Sequence, residues 1–533
     1  MYVKSRMLLK SLSKISKENM IILTASLSVI VISYNTTALV TALPVMQKDF
    51  DISPSNLQWL LNLYIMASMA FMLPVGRLYD ILDKKKLFII TLLIYALSSF
   101  VMIISPNSTI LFVGRTCQGV GAALIASGSL AIIKVSIKKE KLHSAIALWS
   151  AISGLGFCIG PFLGGLFTEF VGWRFIFLFA IFICVVCMFF TLKFLDDMPA
   201  AHYSLKKIAS CRNGFTVFVF LKGIDGFALF LFIPFLIFFV LCLVGIANSG
   251  FQNTFTIYYL VITIILFLLF IRFEIKGTTN LLSLFILKNK VFSLSLFGIT
   301  SVMAIVGMGI PYIFNLYAQN SYTLNFTAFE AGIALLPLTV GCFLGSIFSV
   351  YFIKRFGFYF SLLFSFALMI IGVIVLLMQI HFGSVNFIYS FSLMGFACGS
   401  SVSILSTLGM KDIESSIAGR ASGLLNIVFY VSDLIGTTIF SIVFFVAGRD
   451  YLFAGKAYLP YLTDKSDSFL NNLVLGNNKA VTSIIANKSI DSAGFIKLIS
   501  NTGIGGFYDT ILFSFIIIIV TFVIFALILP REN

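Results

Sequence analysis

Apolar residues run along this chain in blocks of about 18 or more, separated by short polar stretches, with no sustained period-two alternation. A block of that length crosses about 30 Å of hydrocarbon as a helix, whereas a membrane barrel shows alternating segments of about ten residues. Fourteen spans are predicted, at 20–44, 57–76, 87–104, 109–133, 143–167, 174–195, 226–246, 255–273, 291–316, 330–353, 358–380, 385–409, 418–447 and 507–529. The expected class is an all-α polytopic membrane protein embedded in a lipid bilayer.

Composition agrees with that pattern. Of 533 residues, 59% are hydrophobic and 11% charged, against about a quarter charged in soluble domains. The formal net charge of +15 would suit nucleic acid, but its distribution does not. Basic residues collect in alternate loops: 4–17, Arg77 with 84–86, 134–141, 206–212 and 272–290. The intervening short loops hold little beyond Lys48 and Arg174. By the positive-inside rule both termini are then cytoplasmic, and the excess charge reports topology in a cytoplasmic (inner) membrane. No nucleic-acid partner is expected. The basic first 19 residues resemble the start of a signal peptide, but the apolar run behind them is long and lacks a cleavage site, so it reads as a retained first helix.

Enzyme chemistry finds no foothold. Cys184 and Cys187 form a CxxC inside an apolar run, where packing is the plainer role. The three histidines, His143, His202 and His381, are scattered, and no metal-ligand spacing, P-loop or Ser-His-Asp order occurs. Neither a metal nor another bound cofactor is expected.

The spans divide as six, two and six. This predicts a cytoplasmic N-terminus (1–19), a first bundle (20–195), a linker with two extra spans (196–290), a second bundle (291–529) and a short cytoplasmic tail (530–533). Transporters are commonly built from repeated halves, and "VYFIKRFG" (350–357) is a degenerate counterpart of "GRLYDILDKKK" (76–86). Residues 448–506, polar and outside by topology, form either a small hairpin or helical cap or a disordered loop.

Several stretches carry candidate chemistry. In "GRLYDILDKKK", Gly76 suits a tight exit from a helix and Asp80 suits a facing helix N-terminus, although a solvated charged loop explains both. In "FVGRTCQGVGAALIASGS" (112–129), Arg115 lies about 9 Å inside the fourth span, with Gln118 one turn further on nearly the same face. An arginine at that depth needs a cavity, a partner or a snorkelling path. In "SGLGFCIGPFLGGLF" (153–167), Gly156, Gly160 and Gly164 form a four-residue strip with Pro161 inside it, which lets another backbone approach closely. Asn35 and Thr36 in "VISYNTTALVTALP" (31–44) put polarity at mid-depth.

Taken in order, these motifs resemble the major facilitator superfamily, and the two middle spans resemble its fourteen-helix drug:proton antiporter branch. Further matches are "SPSNLQWLLNLY" (53–64), "GWRFIFL" (172–178), "EAGIALLP" (330–337) and "AGRASGLLN" (418–426), so the resemblance covers nearly all but 448–506. It implies a major facilitator fold of two six-helix bundles plus two inserted helices. The function it implies is proton-gradient-driven efflux of small amphipathic organic substrates, performed by a single chain. It also implies that the glycines of the fifth span let it slide against a partner in the other half, while Asp80 and its lysines latch the cytoplasmic side.

Two departures matter. The branch carries an acid in the first span where this chain has Asn35, and another in the second span where it has Asn62. Asn35, Thr36, Asn62, Arg115 and Gln118 are therefore cavity candidates without a carboxylate among them. Of the remaining acids, Glu330 stands at a helix start, Asp225 at a span entrance, and Asp433 well inside "NIVFYVSDLIGTTIF" (426–440). Asp433 is the candidate proton-coupling residue, or else the counter-ion of Arg115. A uniporter or importer of a neutral or anionic metabolite remains an alternative, as does a non-transporting sensor or assembly protein of the same fold.

Overall fold

In a computed structural model of the chain, the described residues are 17–195, 226–249, 253–276, 284–413, 418–463, 465–486 and 490–529. Asp225 falls outside them. They contain helices and connecting turns, with no strand among the described residues. This is what a bilayer demands, because a helix satisfies its backbone internally where water is absent.

The first six helices are α1 (Lys17–Phe50), α2 (Trp59–Ile81), α3 (Lys84–Ile103), α4 (Ser108–Ser136), α5 (Lys139–Phe170) and α6 (Arg174–Phe194). Two more follow, α7 (Gly226–Ser249) and α8 (Thr254–Lys276). The ninth, α9, begins as Lys290–Val302, loosens into a π-helical stretch at Met303–Gly309 and ends as Ile310–Ala318. Helices α10 and α11 are the two arms of Ala328–His381, broken at Gly357, whose φ of 71° suits glycine alone. The last three are α12 (Ile388–Lys411), α13 (Ala418–Ala454) and α14 (Ser492–Ile528).

Local chemistry sets several starts. Asp83 accepts from the Lys86 amide at 3.1 Å to open α3, and Asn107 accepts from the Ile110 amide at 3.0 Å to open α4. Thr327 and Glu330 form a reciprocal capping box at α10, which accounts for that acid.

Within the first bundle α1 packs on α5, α2 on α4, and α3 on α4 and α6. In the second, α10 packs on α12, α13 on α14, and α9 on α12 and α13. The seam between bundles is made by α5 with α10, α2 with α13, and α1 with α9. Helix α7 lies against both α2 and α13 at the edge of that seam. Helix α8 stands further out, with Phe255, Tyr258, Val261, Ile265 and Leu268 exposed to the lipid side.

The described residues of 448–506 fold as a helical cap. The end of α13, short helices at Leu459–Leu462, Asp467–Val474 and Asn478–Ile485, and the first turns of α14 enclose a separate apolar core. Leu452, Leu462, Leu473, Val481, Phe495 and Ile499 fill it. Arg449 and Asp467 pair at 2.7 Å inside the cap. The cap meets both bundles: Asn320 donates to the Val474 carbonyl at 3.1 Å, and Lys479 lies 3.8 Å from Asp51.

Candidate functional site

Arg115 is fully buried on α4 and organises the interior of the first bundle. Its Nη1 donates to Asn35 Oδ1 of α1 at 2.8 Å and to Gln118 Oε1 at 2.6 Å. Its Nε donates to the Leu60 carbonyl of α2 at 2.9 Å. The Tyr64 ring lies under the guanidinium, 4.3 Å from Cζ to the ring centroid. Gln118 in turn donates to Ser99 on α3 at 2.9 Å. One cation thus joins four helices through an amide, a carbonyl and a π face, none carrying a compensating negative charge. Nη2 of Arg115 and Nδ2 of Asn35 are enclosed without a partner. Thr36 donates to the Ile32 carbonyl of its own helix at 2.8 Å.

The glycine strip faces elsewhere than expected. A Cβ on Gly156 would lie 2.8 Å from Ser33 Cβ, and one on Gly164 would lie 2.6 Å from Ala38 Cα. One on Gly160 would overlap Thr37. All three neighbours are on α1, so the strip closes α5 onto its own bundle rather than onto the other half. The physical reason is rotational. Residues at i, i+4 and i+8 share one face, while Pro161 and Gly165, one position on, point about 100° away. These two meet α10: a Cβ on Gly165 would lie 2.9 Å from Phe329 Cα, and one on Gly332 would lie 3.1 Å from the Pro161 carbonyl carbon.

Asp433 sits on α13, half-buried, against the π-helical stretch of α9 in its own bundle. A Cβ on Gly307 would come within 2.9 Å of Asp433 Oδ1, so that glycine makes room for the carboxyl. Oδ1 is enclosed and has no hydrogen-bond partner. Asp433 is not the counter-ion of Arg115. All hydrogen bonds of Arg115 go to its own bundle, and neither residue is in an ion pair among the described residues. One turn from Asp433 the seam is bridged directly: Thr437 donates to Asn62 Oδ1 at 2.7 Å, and Asn62 Nδ2 donates to Thr438 Oγ1 at 3.1 Å. Nearer the cap, Gln319 of the second bundle donates to the Thr41 carbonyl of the first at 2.9 Å.

A family profile described as Major Facilitator Superfamily matches residues 25–437. The chain belongs to the Major Facilitator Superfamily. Among relatives, the methylenomycin A resistance protein of Bacillus subtilis is 23% identical over 449 residues, covering 82% of this chain and 90% of that one. The multidrug resistance protein Stp of Mycobacterium tuberculosis is 23% identical over 396 residues, 74% of this chain and 70% of that one. The MFS-type transporter phomT of Diaporthe leptostromiformis is 39% identical, but over 161 residues, so the match spans 27% of that relative and 30% of this chain. A solved bacterial homologue of the human lysosomal transporter Spinster, inward-facing and unoccupied, superposes with a TM-score of 0.58 at 12% identity over 96% of this chain and 97% of that one. That likeness shows the fold.

Against this facilitator fold the sequence candidates divide. Asn35, Arg115 and Gln118 come together as one hub, but inside the first bundle and not open to the seam. Asn62 reaches the seam with both halves of its amide engaged. Asp433 is unpaired and lies one turn of α13 from that contact. Gly76 and Asp80 lie in the last turns of α2, and their side chains fall outside the described residues; Asp83 is the residue that caps α3. Sequence reading missed Tyr64, Thr437, Thr438 and the π-helical stretch. The adjacent Thr437–Thr438 pair and the glycines of "MAIVGMG" (303–309) were the available signals.

Proposed function

We propose that this transporter exports small amphipathic organic compounds in exchange for protons, as a member of the fourteen-helix antiporter branch. In this reading it sits in the cytoplasmic membrane with both termini inside, and one chain suffices. Residues 20–195 and 291–529 move as two bundles around the seam, and a proton gradient rather than a bound cofactor drives transport. The resistance-protein names of the relatives support an exporter of organic compounds.

One observation carries the coupling: Asp433 is a carboxyl with an enclosed, unpartnered oxygen, one helical turn from the inter-bundle contact of Thr437. A carrier coupled to protons needs a group whose charge changes on exchange and whose charge alters which conformation is favoured. Asp433 meets both requirements, whereas Asn35 and Asn62 hold no exchangeable proton. The same two amides leave Arg115 with its full charge. At an effective dielectric of about 20 that charge acts on another unit charge by about 4 kcal/mol at 4 Å and still by more than 1 kcal/mol at about 10 Å. The carrier's interior in this reading therefore favours neutral and anionic substrates over permanent cations.

The test is flux in proteoliposomes under an imposed pH gradient, using neutral, anionic and quaternary-ammonium dyes. Asp433→Asn is expected to abolish gradient-driven accumulation while leaving downhill exchange, and Asn35→Asp to admit cationic dyes. Full proton-driven flux from Asp433→Asn would remove Asp433 from the mechanism.

A further inference from the structure

We propose that Asn62, Thr437 and Thr438 form a latch that holds the two bundles together and is released when the seam opens. The proposal rests on the two-bundle carrier proposed above, but it concerns which groups shut the seam.

The geometry is specific. Asn62 is fully buried on α2, and so are Thr437 and Thr438 on α13. The amide oxygen accepts from Thr437 at 2.7 Å and the amide nitrogen donates to Thr438 at 3.1 Å, so one side chain spends both its functions on the opposite bundle. Direction along α13 matters equally. The helix runs toward the cap, so Thr437 lies about 6 Å nearer the cap than Asp433 at 1.5 Å per residue. The cap end is also where Gln319 reaches Thr41 and where Gly332 meets Pro161.

Opening the seam must break both bonds. Thr437 already has alternative acceptors on its own helix, the Asp433 and Leu434 carbonyls, each at 3.1 Å. Its hydroxyl can therefore return to α13 when α2 withdraws, so no buried donor is stranded in the open state. Asn62 is the member that loses its partners, and it does so on a face that becomes wet. The latch is neutral throughout. A carboxylate at the same place would have to be buried at each closure, which an amide avoids. The Asn62 departure from the branch's usual acid is thus explained as a gain in closure, separate from any loss of coupling.

The experiment reads conformation, so it does not depend on transport activity. Spin labels at Lys48→Cys and Ser321→Cys, which face each other across the cap-end seam, are placed in a background lacking the native cysteines. Distance distributions are then compared. Hydrogen bonds between helices in membranes contribute modestly, so losing two should shift the closed-to-open ratio on the order of tenfold. Thr437→Val with Thr438→Val should populate the longer distance to that extent, and Thr437→Ser with Thr438→Ser should restore the short one. Asn62→Ala provides the same loss from the other bundle if the double valine variant fails to fold. Unchanged distances in the folded valine or alanine variants would overturn the latch. Asp433→Asn flux would be unaffected by that outcome, so the two proposals fail separately.

Discussion

Placing a methyl group at Gly332 tests whether the α5–α10 contact belongs to one conformation only. In the structure a Cβ there would lie 3.1 Å from the Pro161 carbonyl carbon, closer still to its oxygen, and 3.5 Å from Gly165 Cα. All of these are backbone atoms, which cannot rotate out of the way. Ordinary contact begins near 3.4 Å, so Gly332→Ala forces α10 back from α5 whenever the bundles meet at the cap end. Overpacking of this kind costs about 1–3 kcal/mol. Because the contact is made between bundles, that cost falls on the cap-closed state alone and should reduce the closed-to-open ratio by roughly 5- to 150-fold. The readout is the distance between the Lys48→Cys and Ser321→Cys labels, with flux measured in parallel. Gly164→Ala is the control. Its methyl would meet Ala38 Cα at 2.6 Å inside the first bundle, so it should lower Tm without moving the label distance. A Gly332→Ala protein with the wild-type distance distribution would refute the reasoning, as would a Gly164→Ala protein that shifts it equally.

Two further outcomes are expected. Arg115→Met removes the charge together with its donors, leaving Asn35 Oδ1 and Gln118 Oε1 unpaired. A loss of about 1–3 kcal/mol for each such group should appear as a marked fall in Tm, and unchanged thermal stability would remove Arg115 as the hub of the first bundle. For orientation, Lys85→Cys should be shielded from impermeant thiol reagents in intact cells while Lys479→Cys on the cap reacts. Labelling of Lys85→Cys from outside would reverse the assigned topology.

Tertiary structure decided the partners of the motif residues, and the reason is visible in single positions. The Gly156–Gly160–Gly164 spacing specifies a flat helix face, but a flat face accepts any close backbone. Only the packing of α5 shows that α1 occupies it and that the next residues, Pro161 and Gly165, meet the other bundle. The Arg115–Gln118 spacing likewise specifies neighbours on α4, yet the cation could equally have reached Asp433. Asn35, the Leu60 carbonyl and Tyr64 lie closer in the folded bundle and took its contacts. Asn62 and the Thr437–Thr438 pair are 375 positions apart in the chain and share no local pattern that links them. The sequence left 448–506 open between a hairpin or helical cap and a disordered loop, because each of its helices is too short to show an apolar period and its core exists only when they are assembled.

What the sequence by itself determined was set by solvent. A segment that crosses hydrocarbon must be long, apolar and helical, so the spans and the all-helical class follow from hydropathy alone. The same solvent makes every buried polar residue conspicuous, which is why Asn35, Asn62, Arg115, Gln118 and Asp433 could be singled out before any coordinate. Which of them touch, and which one is left without a partner, depends on how helices distant in sequence turn toward each other. That is a property of packing between surfaces, and no periodicity within one helix encodes it.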